Sequence, residues 1–355
     1  MGCEVQPVRT LVVDDSPSMR MMLRRLLTAD PGIEVVGTVA DPDSAGGAIA
    51  RLKPDVLTLD VDMPGTDGLT FLARLMTAQP MPVVMCSSLT ARGAEVSIEA
   101  LRLGAFDCVQ KPSGDPAAVA VAADVLRETV KAAGRSRIRR SPSAPAPTTP
   151  PRRVASDALA SSSAVIAIGA STGGVEALFE ILGALPADSP PILIVQHMPA
   201  AFTAGFADRL DRNSALQVVH ATDRTPIRRG TAYIAPGGTR HMEVVPGNTP
   251  HIRLVEGPPT SGHRPSVDRL FHSIASLGRP MVGVILTGMG RDGADGLVAM
   301  RRAGARTIGQ DQASSVVYGM PRAAAEAGAI MEQAGLARMP DAIIAACRAL
   351  ASRSI

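Results

Sequence analysis

Three residues far apart in the chain have the types that acyl transfer requires. Ser171 lies in Gly169-Ala-Ser-Thr-Gly-Gly174, between an apolar run at 164–168 and a helix-like stretch at 175–185. A serine on a glycine turn between strand and helix projects beside the helix N-terminus, where free N–H groups favour negative charge. The Gly-x-Ser-x-Gly spacing fits a nucleophile elbow, although that short pattern also arises by chance. A strand–turn–helix of this kind also suits a dinucleotide phosphate. Against that, Ser171 replaces the second glycine of Gly-x-Gly-x-x-Gly, and the next strand ends on Gln196-His197 rather than on an acid. A nucleophilic serine needs a base that titrates near neutrality and an acid that orients the base. His197 closes the apolar run 192–195, and Asp292 follows the run 282–286 within Thr287-Gly-Met-Gly-Arg-Asp-Gly293. Strand ends thus deliver Ser171, His197 and Asp292 to one rim. By residue type alone, His220, His241, His251, His263 and His272 stay open as bases, and Asp268 and Asp311 as orienters.

A second set of groups sits earlier in the chain. Asp14 and Asp15 end the first apolar run, Asp60 the third, Ser87 the fourth, and Lys111, just before Pro112, the fifth. Ligands of parallel sheets bind at the carboxyl ends of strands. Carboxylates gathered there repel one another unless a hard dication such as Mg²⁺ joins them. The Ser87 hydroxyl and the Lys111 ammonium are suited to a phosphoryl oxygen at the same edge.

Positioning these groups takes two α/β halves. From residue 9 to about 131, short runs at 11–13, 35–39, 56–59, 83–85 and 108–109 alternate with stretches that are apolar at i, i+3 and i+4. Five such units predict a (βα)5 fold with a parallel sheet covered by helices on both faces. Residues 141–151 are rich in proline, have no period and predict a semi-extended linker. Alternation resumes at 164–168, 192–195 and 282–286, which predicts a doubly wound α/β domain. The short runs 233–234, 243–245 and 252–255, separated by Pro-Gly turns, predict a small antiparallel insertion. The expected division is a first domain over 1–131, a flexible linker rich in Arg, Pro and Ser over 132–160, and a second domain over 161–355.

The order Asp-Asp, Asp, Ser, Lys-Pro at successive strand ends resembles the receiver domain of two-component response regulators over roughly residues 7–130. The second half is similar to the chemotaxis protein-glutamate methylesterases over about 161–350. That likeness is carried by Ile168-Gly-Ala-Ser-Thr-Gly-Gly174, Gln196-His-Met-Pro199, Ala235-Pro-Gly-Gly238 with His241-Met242, Arg264-Pro-Ser-Val-Asp268, Leu286-Thr-Gly-Met-Gly-Arg-Asp-Gly293 and Tyr318-Gly-Met-Pro321. The resemblance implies that Asp60 accepts a phosphoryl group from a chemotaxis histidine kinase. Asp14, Asp15 and Asp60, with the backbone after Asp60, would hold Mg²⁺, and Ser87 and Lys111 would sense the phosphoryl group. In the second domain it implies Ser171 as nucleophile, His197 as base and Asp292 as orienter, with no cofactor. N–H groups of Thr172 and of the turn around Met289 would stabilise the oxyanion. The expected substrates are the γ-methyl esters, and the glutamines, of methyl-accepting chemotaxis receptors. The unphosphorylated receiver is expected to restrain the esterase. One departure is Cys108, three positions before Lys111, where receivers often carry an aromatic residue of the switch. The order Ser, His, Asp also differs from that of α/β-hydrolases.

Composition narrows the alternatives. The net charge is +3, but six arginines and one acid fall between Gly134 and Ser163, so the rest of the chain is slightly acidic. That reads as a solvated tether rather than a nucleic-acid surface. Aromatics are 2% with no Trp, which leaves no stacking platform for single-stranded nucleic acid. A receiver fused to a DNA-binding or other regulatory output is the rival class, yet no helix-turn-helix with a basic recognition helix is visible. Cys3, Cys86, Cys108 and Cys347 have no metal or disulfide spacing and predict reduced thiols. No run has the length of a membrane span, and no signal peptide opens the chain. A soluble cytoplasmic protein without membrane insertion is expected.

Overall fold

The computed structural model describes residues 6–61, 63, 68–87, 91–136 and 163–351. Most of the 132–160 linker and Cys3 lie outside them. The chain forms two compact units, residues 1–145 and 146–355.

The first unit runs β1 (Val8–Val13), α1 (Pro17–Thr28), β2 (Ile33–Val39), α2 (Pro42–Leu52), β3 (Val56–Asp60), α3 (Gly68–Ala78), β4 (Val83–Ser87), α4 (Ala91–Arg102), β5 (Asp107–Gln110) and α5 (Pro116–Arg135). Its sheet is parallel in the order β2-β1-β3-β4-β5. Every residue of β3 and β4 is buried, as strands covered on both faces should be. Ser16, Asp41 and Asp115 cap α1, α2 and α5 through their side-chain oxygens, with a proline in each first turn. Helix α5 continues to Arg135, past the boundary expected at residue 131. Thr129, Val130 and Ala133 stay buried, and Gly134 lies so close to Val8 that an added Cβ would meet a Val8 methyl at 2.4 Å.

The second unit runs β6 (Val165–Ala170), α6 (Gly174–Ala184), β7 (Ile192–Gln196), α7 (Ala200–Asn213), β8 (Gln217–His220), β9 (Thr231–Ile234), β10 (Arg240–Val245), β11 (His251–Glu256), α8 (Val267–Ala275), β12 (Met281–Ile285), α9 (Ala294–Arg302), β13 (Arg306–Gln310), α10 (Met320–Glu326), β14 (Glu332–Ala334) and α11 (Met339–Ala351). A parallel seven-stranded sheet has the order β14-β13-β12-β6-β7-β9-β8, and β10 pairs β11 in a separate antiparallel ribbon. The antiparallel insertion is therefore smaller than expected. Tyr233 and Ile234 belong to β9, which pairs β7 and β8 in the main parallel sheet. Its residues are all buried, so this short apolar run is an inner strand, which pattern alone does not distinguish from a hairpin strand. Strand β6 leads through α6 to β7 on one side, and its other neighbour β12 leads through α9 to β13 on the opposite side, so the switch point where open α/β sheets bind ligands lies between β6 and β12. Among the described residues, no helix is long and apolar enough to cross a membrane.

Candidate active site

Ser171 follows β6 directly, and Gly173, with φ of 77°, is the residue before α6. That left-handed conformation suits glycine, and a Cβ there would meet Val316 at 2.6 Å. His197 follows β7, whose register sets Gln196 opposite Ala170, and its N–H donates to the Ala170 carbonyl at 3.0 Å. Ser171 and His197 thus stand at neighbouring strand ends. Asp292 arrives from the turn after β12. Gly293, with φ of 92°, reverses the chain into α9 and packs against Val267.

The His197 Nε2–H donates to Asp292 Oδ2 at 2.8 Å. With the proton placed on Nε2 by this carboxylate, Nδ1 keeps its lone pair, so Nδ1 is the basic atom. Nδ1 is buried and has no hydrogen-bond partner among the described residues. No hydrogen bond joins Ser171 Oγ to Nδ1, so the constellation is one closure short of a continuous relay. Catalytic hydrogen bonds often tighten only when substrate is bound.

Asp292 is fully buried and accepts four hydrogen bonds. Oδ1 takes the Ser266 hydroxyl at 2.8 Å and the Asp268 N–H at 3.0 Å, and Oδ2 takes the Val267 N–H at 2.8 Å besides His197. The carboxylate therefore sits on the N-terminus of α8. Burial by itself pushes its pKa up, but the His197 hydrogen bond and charge and the two helix N–H groups together hold it below the usual value. Ser266, the N-cap of α8, also donates its N–H to His241 Nδ1 at 3.2 Å, and His241 Nε2–H reaches the Pro258 carbonyl at 2.9 Å.

Residues that sequence reasoning passed over complete the frame. Gln196 Nε2 donates to the carbonyls of Ser171 at 2.9 Å and His197 at 3.0 Å, strapping the two turns together. Thr287 donates its hydroxyl to the Thr172 carbonyl at 2.9 Å and receives the Val317 N–H at 2.9 Å. Gln310 Oε1 accepts the Thr287 N–H at 2.8 Å. The only advance signal for Gln196 was its place beside His197. Thr172 is buried, and the Met289 N–H makes no hydrogen bond among the described residues.

Gly288 explains why the turn before Met289 must be glycine. A Cβ there would lie 2.7 Å from Ser171 Cβ and 2.4 Å from Met320 Sδ. Gly288→Ala should displace Ser171 and lower kcat by about 100-fold, the scale of a displacement of about 1 Å at a reacting group. Ester turnover together with the rate of serine labelling measures this; an unchanged kcat would show the turn to be slack.

The competing candidates go elsewhere. His220 Nε2 lies 3.0 Å from Thr203 Oγ1, His251 is in β11, and His272 is exposed on α8. Asp268 accepts the Gly296 N–H at 2.8 Å in the first turn of α9, and Asp311 accepts the Ser314 N–H at 2.7 Å in its own loop. Of the alternative histidines, His263 is the one that reaches His197, stacked on its ring.

In the first unit, oxygens of Asp14, Asp15 and Asp60 lie within 4.8 Å of one another. Lys111 Nζ is 2.8 Å from Asp14 Oδ2 and 2.7 Å from Asp60 Oδ2. Burial alone lowers the pKa of this ammonium, but the two carboxylates more than offset it and raise it. Ser87 is buried at the end of β4, and its carbonyl accepts the Lys111 N–H at 2.8 Å. Gly68 opens α3 directly over the Asp60 carbonyl, which a Cβ would meet at 2.6 Å. Cys108 is buried and donates its thiol to the Ser97 carbonyl at 3.3 Å; burial pushes the thiol pKa up, so it stays protonated. The set of hard oxygen donors suits a dication such as Mg²⁺.

The CheB methylesterase family model matches residues 166–343, and a response regulator receiver domain model matches residues 10–123. A Caulobacter vibrioides protein-glutamate methylesterase/protein-glutamine glutaminase is 52% identical over 338 residues, covering 95% of this chain and 97% of the relative. The chain belongs to the CheB methylesterase family. A Rhizobium etli member of the same name is 51% identical over 339 residues, covering 95% of this chain and 96% of the relative. The crystal structure of the Thermotoga maritima CheB methylesterase catalytic domain is 35% identical, covers 51% of this chain and 97% of that one, and has a TM-score of 0.49. Ser171, His197 and Asp292 all fall within the stretch matched by the CheB model, and Asp14, Asp15, Asp60, Ser87 and Lys111 within the receiver match.

Proposed function

We propose that the chain is a protein-glutamate methylesterase and glutamine deamidase of cytoplasmic chemoreceptor segments, controlled by phosphorylation of Asp60. The observation that carries the catalytic part is the pair of buried Asp292 and half-buried His197, 2.8 Å apart, at the strand end beside Ser171. In this reading His197 Nδ1 takes the Ser171 hydroxyl proton as Oγ attacks the γ-carbonyl of the methylated glutamate. The oxyanion would form beside the N-terminus of α6, with the Thr172 and Met289 N–H groups as its donors in this reading; one such donor is typically worth about 3 kcal/mol. The imidazolium, held by Asp292, gives its proton to the leaving methoxide and releases methanol. Water then attacks the acyl-serine with the same base, leaving free glutamate. A glutamine side chain would follow the same course and release ammonia.

In the receiver, Asp14, Asp15 and Asp60 would hold Mg²⁺, which neutralises charge on a phosphoryl group as it is transferred. Asp60 is the acceptor, and Lys111 and Ser87 are the groups that register the new dianion, by ion pairing and hydrogen bonding. A histidine kinase of the chemosensory system is the phosphodonor in this scheme.

The test is methanol release from methylated receptor membranes by the full chain, with and without acetyl phosphate and Mg²⁺. The wild type should release methanol faster with the phosphodonor, whereas Asp60→Ala should give one rate under both conditions. Equal stimulation of the variant would remove Asp60 from the control scheme.

A further inference from the structure

The mechanism uses both edges of the His197 imidazole, and one of its faces is also occupied. The ring of His263 lies parallel to it, with centroids 3.8 Å apart and an interplanar angle of 7°. His263 is itself firmly placed. It closes a tight hairpin with Thr260 through reciprocal N–H to carbonyl bonds of 3.0 Å, turning through Ser261 and Gly262 with φ of 52° and 81°. The Ser261 hydroxyl donates to Asp268 Oδ2 at 2.8 Å, and the neighbouring Arg264 guanidinium donates to the carbonyls of Gly238 at 2.9 Å and Gly257 at 2.7 Å. Three residues after His263 comes Ser266, which holds Asp292. One rigid segment at the start of α8 therefore fixes the His197 ring by its Nε2 edge, through Asp292, and by one face, through His263.

We propose that His263 is a positioning residue for the esterase reaction: its ring holds the plane of His197 and stabilises the imidazolium that forms when Ser171 gives up its proton. A parallel stack of two neutral rings is not a favoured arrangement, because like parts of their quadrupoles face each other. A cation over an aromatic face is attracted to it. The stack therefore gains attraction as His197 becomes charged, which is the differential stabilisation that raises kcat rather than binding. His263 stays neutral in this role, since burial, and then the nearness of His197, lower its pKa to about 4. Protonation of both rings is thereby avoided at neutral pH.

The inference rests on the esterase reading, and the test separates the two. His263→Phe keeps a flat neutral ring without nitrogens, and His263→Leu fills space without a π face. In the full chain, His263→Leu should lower kcat for methanol release about tenfold, equivalent to about 1.4 kcal/mol, with KM unchanged. His263→Phe should retain most of the rate. A fluorophosphonate that phosphonylates Ser171, with loss of fluoride, gives a second readout independent of substrate, and its labelling rates should rank wild type and Phe above Leu. A Leu variant that matches wild type in both assays overturns the proposal, and so does a Phe variant as slow as Leu. Should the wild type release no methanol while labelling keeps this ranking, the substrate assignment fails and the positioning role stands.

Discussion

Ser171→Ala should abolish methanol release and glutamine deamidation together, by a factor on the order of 10⁶ in kcat, the loss seen when the nucleophile of a serine relay is removed. The variant should fold normally. Ser171 Oγ makes no hydrogen bond among the described residues, and what holds this turn is main chain: the Ser171 carbonyl receives Gln196 and the Gly174 N–H, and the Ser171 N–H donates to the Thr287 carbonyl at 3.1 Å. Deleting one hydroxyl should therefore shift stability by no more than about 0.5 kcal/mol. Paired measurements of thermal melting and methanol release check this, with fluorophosphonate labelling as a control that should vanish. His197→Ala should lose turnover on a similar scale and leave Ser171 in place but unreactive. If Ser171→Ala kept even a hundredth of the wild-type rate, another group would have to supply the nucleophile, and His197 Nδ1 would lose its role as base along with it.

The strand ends were legible in the sequence because continuous apolar runs mark buried parallel strands, and the residue that follows such a run lies at the sheet's carboxyl edge. That reasoning reached Ser171, His197 and Asp292, and equally Asp14, Asp60 and Lys111. It failed at Tyr233 and Ile234, since four buried residues look the same in a sheet interior as in a ribbon. It also gave no view of what orients the groups. The four donors on Asp292 come from Ser266, Val267, Asp268 and His197, 24 to 95 positions away in sequence, and two of them are backbone N–H groups that carry no side-chain signature. The proposal of Nδ1 as base likewise follows from which ring edge meets Asp292. His263 was visible only as one histidine among five alternatives, because a parallel stack depends on a hairpin geometry that spacing does not encode.

Asp292→Asn should be worse than Ser171→Ala in one respect and milder in another. An amide has the same shape, but all four groups around it are donors, and one end of the amide must now donate. If the NH₂ faces His197 and Val267, the imidazole moves its proton to Nδ1 and Nε2 becomes the acceptor. Nδ1 then has no lone pair for Ser171, a change of tautomer that costs about 10⁴ in kcat. If the NH₂ faces Ser266 and Asp268, a helix N–H at the start of α8 is left buried and unpaired, which costs about 1–3 kcal/mol. Either way the variant should retain some turnover, yet lose stability that Ser171→Ala keeps. The pH dependence separates the charge from the hydrogen bonds. The folded pKa of Asp292 is depressed below 3.8, its unfolded value, so its stabilising contribution is complete above that pH. It is lost as pH falls through the lower folded value. Acid unfolding of the wild type should accordingly include a limb below about pH 4 that Asp292→Asn lacks. Urea melts at pH 7 and pH 3 measure both effects. A variant whose stability gap from wild type is the same at the two pH values would show that the Asp292 charge adds nothing to what its hydrogen bonds supply.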